Sequence, residues 1–407
     1  MMKNRYIWII LLMILVLAGA CTPRTERVAM QVNTLLDSLR LQYAPDARFV
    51  WWDLSVQAGN GKVSLSGEVS SKAAYKAIVQ GVDDGFPEVE NQLVLLPEEG
   101  DGRWVNGLVN NSVIHLRKEP SSKREMVTQA LLGRPVRILK EANGKSLIQT
   151  PDGYLGWVNI PEVQALNGEQ LARYQEADKI VFKAQYGFAY SEPDEASLPV
   201  SDLVIGCILP ALSNTSDFYQ VSYPDGRLAW VKKEEVLPAD EVFFKSLRKE
   251  ELEETAMGFH GIPYLWGGTS SKAIDCSGLI TNVFFMNGIQ LPRDADQQAF
   301  CGRELTTEYN SEGLETGDLL FFGRKAVEEQ PEVVTHVAMY LGDGDFIHSA
   351  GYHERVSINS MDPEKENFIE RYPEIFVRAV RIVGEEYKGF EPIAENKFYQ
   401  EIIATAE

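Results

Sequence analysis

Apolar residues along the chain fall into distinct patterns, and each predicts an element. Tyr6 to Ala20 is one unbroken apolar run, preceded by Lys3 and Arg5 and closed by Cys21. It is shorter than the ~20 residues of a membrane span, and its charged start is that of an export signal. An uncleaved N-terminal anchor is the other reading. Met30, Leu35, Leu36 and Leu39 then recur at helical spacing, and Val63-Ser64-Leu65-Ser66-Gly67-Glu68-Val69 alternates as a strand. A second helical stretch around 73–79 leads to a second strand at 89–95, and Pro97-Glu98-Glu99-Gly100-Asp101-Gly102 reads as a linker.

Short apolar runs between turn residues follow, and they are written twice. Glu119-Pro120, Gly133, Pro151-Asp152-Gly153 and Trp157-Val158 recur 73 positions later as Glu192-Pro193, Gly206, Pro224-Asp225-Gly226 and Trp230-Val231. This predicts a small all-β barrel in two copies, joined by the polar segment 167–177. Further on, Leu279, Ile280, Val283 and Phe284 predict a buried helix. His336, Ala338 and Tyr340 alternate with Val337, Met339 and Leu341 as a half-buried strand. Gly342-Asp343-Gly344-Asp345 is its turn, and Phe346-Ile347-His348 begins the return. The last stretch, 389–407, is polar with scattered aromatics and reads as a short helix or a frayed end.

Candidate chemistry gathers on the helix and the hairpin. Asp275 stands where an N-cap belongs, which makes Cys276 the first helical residue. The partial positive charge of a helix start favours thiolate over thiol, so Cys276 is the expected nucleophile. Of five histidines, His336 and His348 lie on the hairpin. His336 can serve as base, and His348 can hydrogen-bond one ring nitrogen and fix its tautomer. A lone cysteine beside Leu279 and Ile280 also fits a packed core position, and a lone strand histidine is usually just packed or solvated. The three together favour catalysis. They lack the close paired spacing of zinc ligands, so no metal and no cofactor is expected.

Charge and cysteine content narrow the class. With 59 acidic against 39 basic residues the net charge is −20, which argues against nucleic acid or an anionic bilayer as partner. Of four cysteines, Cys207 and Cys301 are left without a role, and their spacing implies no disulfide.

Several segments resemble known families. Leu17-Ala18-Gly19-Ala20-Cys21 is similar to a bacterial lipobox, with Leu displaced by one place. That resemblance implies a signal peptide over 1–20, lipidation of Cys21, and a periplasm-facing place in the cell envelope; Thr22 after the cysteine implies the outer membrane. Residues 26–97 resemble a BON domain, although any small α+β spacer fits the same pattern. Residues 103–165 and 178–238 resemble bacterial SH3-type domains, the second more weakly because Ala229 replaces Gly. PYLWGG-x8-DCSGL, GDLLFF at Gly317–Phe322, HVAMYLG and FIHS resemble the NlpC-type cell-wall cysteine peptidases over 247–384, with 385–407 a tail.

This resemblance implies a multidomain α+β protein with a papain-like catalytic domain that hydrolyses peptidoglycan stem peptides. Cys276 would be nucleophile, His336 base and His348 orienting residue. Tyr264, Asp275 and Ser277 would line the substrate and oxyanion region. Ala295 stands where many relatives carry Ser, which removes a hydrogen bond to substrate. In multidomain relatives the first barrel closes one end of the cleft. Glu119 and Tyr154 are then the expected contacts there, Glu119 meeting a substrate amine, with Glu125 its rival. The implied bond is that between γ-D-glutamate and lysine or diaminopimelate, in muropeptides or in free peptides with N-terminal L-Ala. An N-acetylmuramoyl-L-alanine amidase on the same fold, and a silent wall-binding lipoprotein, are the alternatives.

Overall fold

A computed structural model describes residues 23–98, 106–328 and 330–402. The expected signal segment, the expected lipidation site Cys21 and most of the expected linker therefore lie outside the described residues. The chain divides into two compact units, one through Arg103 and one from Trp104 onward. Among the described residues no helix is long and apolar enough to cross a membrane.

The first unit runs helix Arg24–Tyr43, strands Trp52–Gly59 and Lys62–Val69, helix Lys72–Gly85 and strand Val89–Leu95. Asn60 and Gly61 both have positive φ, the requirement of a tight hairpin turn, and they join the two antiparallel strands. The second helix is capped by Ser71, whose hydroxyl accepts the Ala74 amide at 3.3 Å. It carries the chain across to a strand parallel to Lys62–Val69. Val63, Leu65 and Val69 turn inward against Val32, Leu36, Ile78 and Val82, as the alternation requires.

The second unit opens with the repeat. The first copy has strands Asn106–Val109, Val113–Arg117, Met126–Leu131, Pro135–Ala142, Lys145–Gln149, Leu155–Asn159 and Val163–Ala165. In the second copy six of these recur 73 positions on with both ends unchanged, among them Pro199–Val204 for Met126–Leu131. Counted within each copy, the strands of both sheets lie in the order seventh, first, fourth, fifth, sixth, second, third. This order has two free ends, so the small barrel expected of each copy is seen as an open seven-stranded arrangement, with no closed barrel among the described residues. In both copies the third strand pairs with the second alone. The copies meet at Gly133, where the Ile208 amide donates to the Leu132 carbonyl at 2.9 Å. A Cβ on Gly133 would lie 1.7 Å from the Ile208 carbonyl oxygen, so only glycine fits.

Beyond them lies a mixed α/β domain. Its antiparallel sheet runs Arg303–Thr306, Phe376–Arg381, Leu319–Arg324, Val333–Gly342, Asp345–Ala350 and Arg355–Ser360. The helix Cys276–Phe285 is buried on nearly every side, which explains its continuous apolar sequence. The C-terminal stretch is described through residue 402. Glu391–Pro392 pairs with Ile289–Gln290, and the short helix Lys397–Gln400 buries Tyr399 against Phe243 and Phe285. Asn396 donates to the Pro151 carbonyl at 2.9 Å, so this segment ties the first copy to the mixed domain.

Candidate active site

The helix that starts at Cys276 is held by a buried carboxylate. Asp275 Oδ1 accepts the Gly278 amide at 2.7 Å, as its N-cap position predicts, and Oδ2 accepts the Gly267 amide at 2.9 Å. Gly278 must be glycine, since a Cβ there would lie 2.1 Å from the Gly268 carbonyl oxygen. The rest of the carboxylate is taken by Arg293, at 2.6 Å to Oδ2 and 3.2 Å to Oδ1. Arg293 also donates to Ser277 Oγ at 2.7 Å and to Thr128 Oγ1 of the first copy at 2.8 Å. The side chains of Asp275 and Ser277 are thus committed within the protein as braces of the helix start.

Cys276 keeps a partly exposed edge, whereas Cys207 and Cys301 are buried. The surroundings of the sulfur oppose the thiolate expected from the helix start. Burial pushes the thiol up to about 12, and the Asp275 charge acts the same way; amides of Val337 and Ser277, and Arg293, pull it only part of the way back. The magnitudes explain the outcome. A helix start is worth about 0.3–1 kcal/mol, and up to ~2 in favourable partly buried geometry. Removing an unpaired anion from water costs several times that.

Val337, whose amide reaches the sulfur, directly follows His336. His336 Nε2 lies 2.8 Å from His348 Nδ1, so the hairpin brings the two histidines together. His348 is fully buried, and its Nε2 lies 2.8 Å from Asn359 Oδ1. Burial, with the neighbouring His353, depresses His336 to about 4. His348 lies well below the ordinary value, first through burial and then through His336; its bond to Asn359 acts the other way. Two tyrosines lie within electrostatic reach of the sulfur. Tyr264 and Tyr372 are both raised to about 12, mainly by burial, and each also feels Cys276. The Tyr264 ring lies over Gly351, and the Tyr372 ring stacks on His336 at 6.4 Å between centroids.

The first copy meets this region along its third strand. The Thr269 amide donates to Gln129 Oε1 at 2.8 Å, and Trp266 Nε1 donates to Glu125 Oε1 at 3.2 Å. Glu119, the expected contact, is instead paired with Arg124 at 3.0 Å. The reason is the turn between them: the Lys118 amide bonds the Glu125 carbonyl, so Glu119 folds toward Arg124 and Glu125 faces the catalytic loop. Tyr154 is buried in the turn after Asp152, its amide donating to Asp152 Oδ1 at 3.1 Å. Ala295 is buried in a short helix.

Arg293 and Asn359 were not among the expected site residues. The signal for Arg293 was a charge set between Pro292 and the buried Ala295; no local pattern marks Asn359.

Residues 261–372 match the NlpC/P60 family, and residues 116–161 match the bacterial dipeptidyl-peptidase SH3 domain. The chain is 31% identical to a gamma-D-glutamyl-L-lysine dipeptidyl-peptidase of Bacillus cereus, over 66% of this chain and 79% of that protein. It is 27% identical to the Bacillus subtilis enzyme of the same name, over 65% of this chain and 84% of that one. Among solved structures, an NlpC/P60 family protein from Bacillus cereus superposes with a TM-score of 0.58. The match covers 68% of this chain and 99% of that one at 24% identity, which supports the shared fold.

Proposed function

Because the chain belongs to the NlpC/P60 family and is a cysteine peptidase, we propose that it cuts peptidoglycan stem peptides between γ-D-glutamate and a diamino acid. The observation that carries the reading is the 2.8 Å His336–His348 pair, one residue from the amide that bonds the Cys276 sulfur. His336 takes the thiol proton as the sulfur attacks the γ-carbonyl carbon. The new C–S bond closes, and amides at the helix start hold the oxyanion. The C–N bond then breaks, and the imidazolium gives its proton to the leaving amine. Water, deprotonated by the same imidazole, breaks the C–S bond, releases the carboxylate and restores the thiol.

Glu125 is the better candidate than Glu119 for a free L-Ala amine, since it faces the loop that leads to Cys276. An ammonium that enters a desolvated cleft end needs such a partner. We also assign a BON-like role to the first unit, an SH3-like role to the second copy, and a lipid anchor at Cys21 in the bacterial envelope. The test is mass spectrometry of products from L-Ala-γ-D-Glu-diamino acid peptides, with and without the muramic acid sugar. L-Ala-γ-D-Glu released by the wild type and absent with Cys276→Ala supports the reading. Release of the intact peptide from the sugar would make the protein an amidase instead.

A further inference from the structure

The histidine pair does not end at His348. The chain of side chains continues to Asn359, 4% exposed on the strand Arg355–Ser360, and Asn359 Nδ2 donates to the Asn367 carbonyl at 2.7 Å. That last bond has only one sense. Were the Asn359 amide turned over, its oxygen would face the Asn367 carbonyl oxygen, two acceptors with no proton between them. Asn359 therefore presents Oδ1 to His348, and His348 must carry its proton on Nε2. The Nδ1 of neutral His348 is then an acceptor, which His336 can satisfy only by carrying its own proton on Nε2. Tyr372, whose hydroxyl stands 3.4 Å from the same Nδ1, is placed as a second donor and agrees with this sense.

We propose that Asn359 is a positioning residue for hydrolysis: through His348 it fixes the tautomer of His336, so that the lone pair at Nδ1 is the one offered to Cys276. This rests on the reading of His336 as the base. It also assigns the end of the relay a neutral amide where a carboxylate would stabilise the imidazolium. Among the described residues the titratable groups that bear on His348 are His336, His353 and Tyr372, and none of them is a carboxylate. The relay orients the base without raising its proton affinity through charge.

The test uses the full chain. In 15N-histidine NMR at neutral pH, assigned with His115→Gln, His260→Gln and His353→Gln, His348 should show a protonated Nε2 and an unprotonated Nδ1. A His348 protonated on Nδ1 would overturn the proposal. Asn359→Leu should lower kcat by about 10²-fold with KM within about twofold. Asn359→Asp keeps an acceptor toward His348 and adds a charge, so the acid limb of kcat/KM should move up by about one pH unit or more. An Asn359→Leu enzyme with wild-type kcat would sink the proposal. If that variant does not fold, an unmoved limb in Asn359→Asp does the same. A wild type that leaves γ-D-Glu peptides intact, or a Cys276→Ala variant that still cuts them, defeats the functional reading instead. Nδ1-protonated His348 in an enzyme that does cut defeats only the role of Asn359.

Discussion

The two seven-stranded copies share one strand order and one spacing, yet they touch different things. In the first, the third strand Met126–Leu131 lies on the catalytic loop: Thr128 accepts from Arg293, and Gln129 accepts from the Thr269 amide. In the second, the residues 73 positions on are Ser201 and Asp202. Ser201 bonds the Tyr223 hydroxyl of its own copy at 2.6 Å, and Asp202 accepts from Ser112 of the first copy at 2.8 Å and pairs with Lys272. At the position of Glu125 the second copy has exposed Leu198. A duplicated scaffold has thus been given two tasks by a few side chains on one strand. The first copy meets Arg293 and the Thr269 amide, whereas the second braces the first copy at Ser112 and the same loop farther on, at Lys272.

The largest effect should come where the first copy reaches the buried ion pair. Arg293→Met leaves the Asp275 carboxylate without its partner, and breaking such a pair costs about 3–5 kcal/mol. Thermal unfolding should shift accordingly, and peptide cleavage should be lost, because Asp275 holds the helix start. An Arg293→Met enzyme with wild-type melting and turnover would mean that the first copy is merely adjacent to the site.

A matched pair of variants sharpens the comparison. Thr128→Val removes an acceptor from buried Arg293, at a cost of about 1–3 kcal/mol. Ser201→Ala removes the corresponding hydroxyl of the second copy and its bond to Tyr223, at a cost of about 0.5–1.5 kcal/mol. Both should lower the melting temperature, but only Thr128→Val should lower kcat/KM. Equal losses of activity would erase the distinction between the copies.

A smaller effect at neutral pH, visible only in acid, follows from the depressed His336. The base must be neutral to accept the thiol proton, and burial lowers its pKa from the ordinary 6.5 to about 4. Activity should therefore persist as pH falls through 6.5 and decline only near 4. The acid limb of kcat/KM against pH checks this. A limb at 6.5 would mean that the pair is far more hydrated than its surroundings imply.

Local chemistry carried most of what the sequence made legible. The Asp275 cap, the helix that begins at Cys276 and the hairpin that joins His336 to His348 are all written within a dozen residues of one another in each case. The Pro-Asp-Gly turns likewise announced the repeat. What stayed hidden depends on partners brought in by folding. Arg293 meets Asp275 across a turn of chain and meets Thr128 from another sheet. Asn359 reaches His348 only because two strands pair. The choice between Glu119 and Glu125 rests on a six-residue turn whose two ends look alike in sequence. The upward push on the thiol was not legible because a helix start is a local signal, whereas burial is a property of the whole domain. Strand order, too, is invisible to a pattern of short apolar runs, so a small all-β barrel was as far as that pattern reached.

We propose that the first copy makes one end of the cleft and meets the substrate amine there. The most direct test is the wild-type ratio of kcat/KM for L-Ala-γ-D-Glu-diamino acid with a free and with an acetylated N-terminus. A free amine paired with Glu125 should be preferred by about tenfold or more, the worth of roughly 1.4 kcal/mol of charge-assisted hydrogen bonding, and Glu125→Gln should narrow the ratio. Equal rates for the two peptides would contradict it.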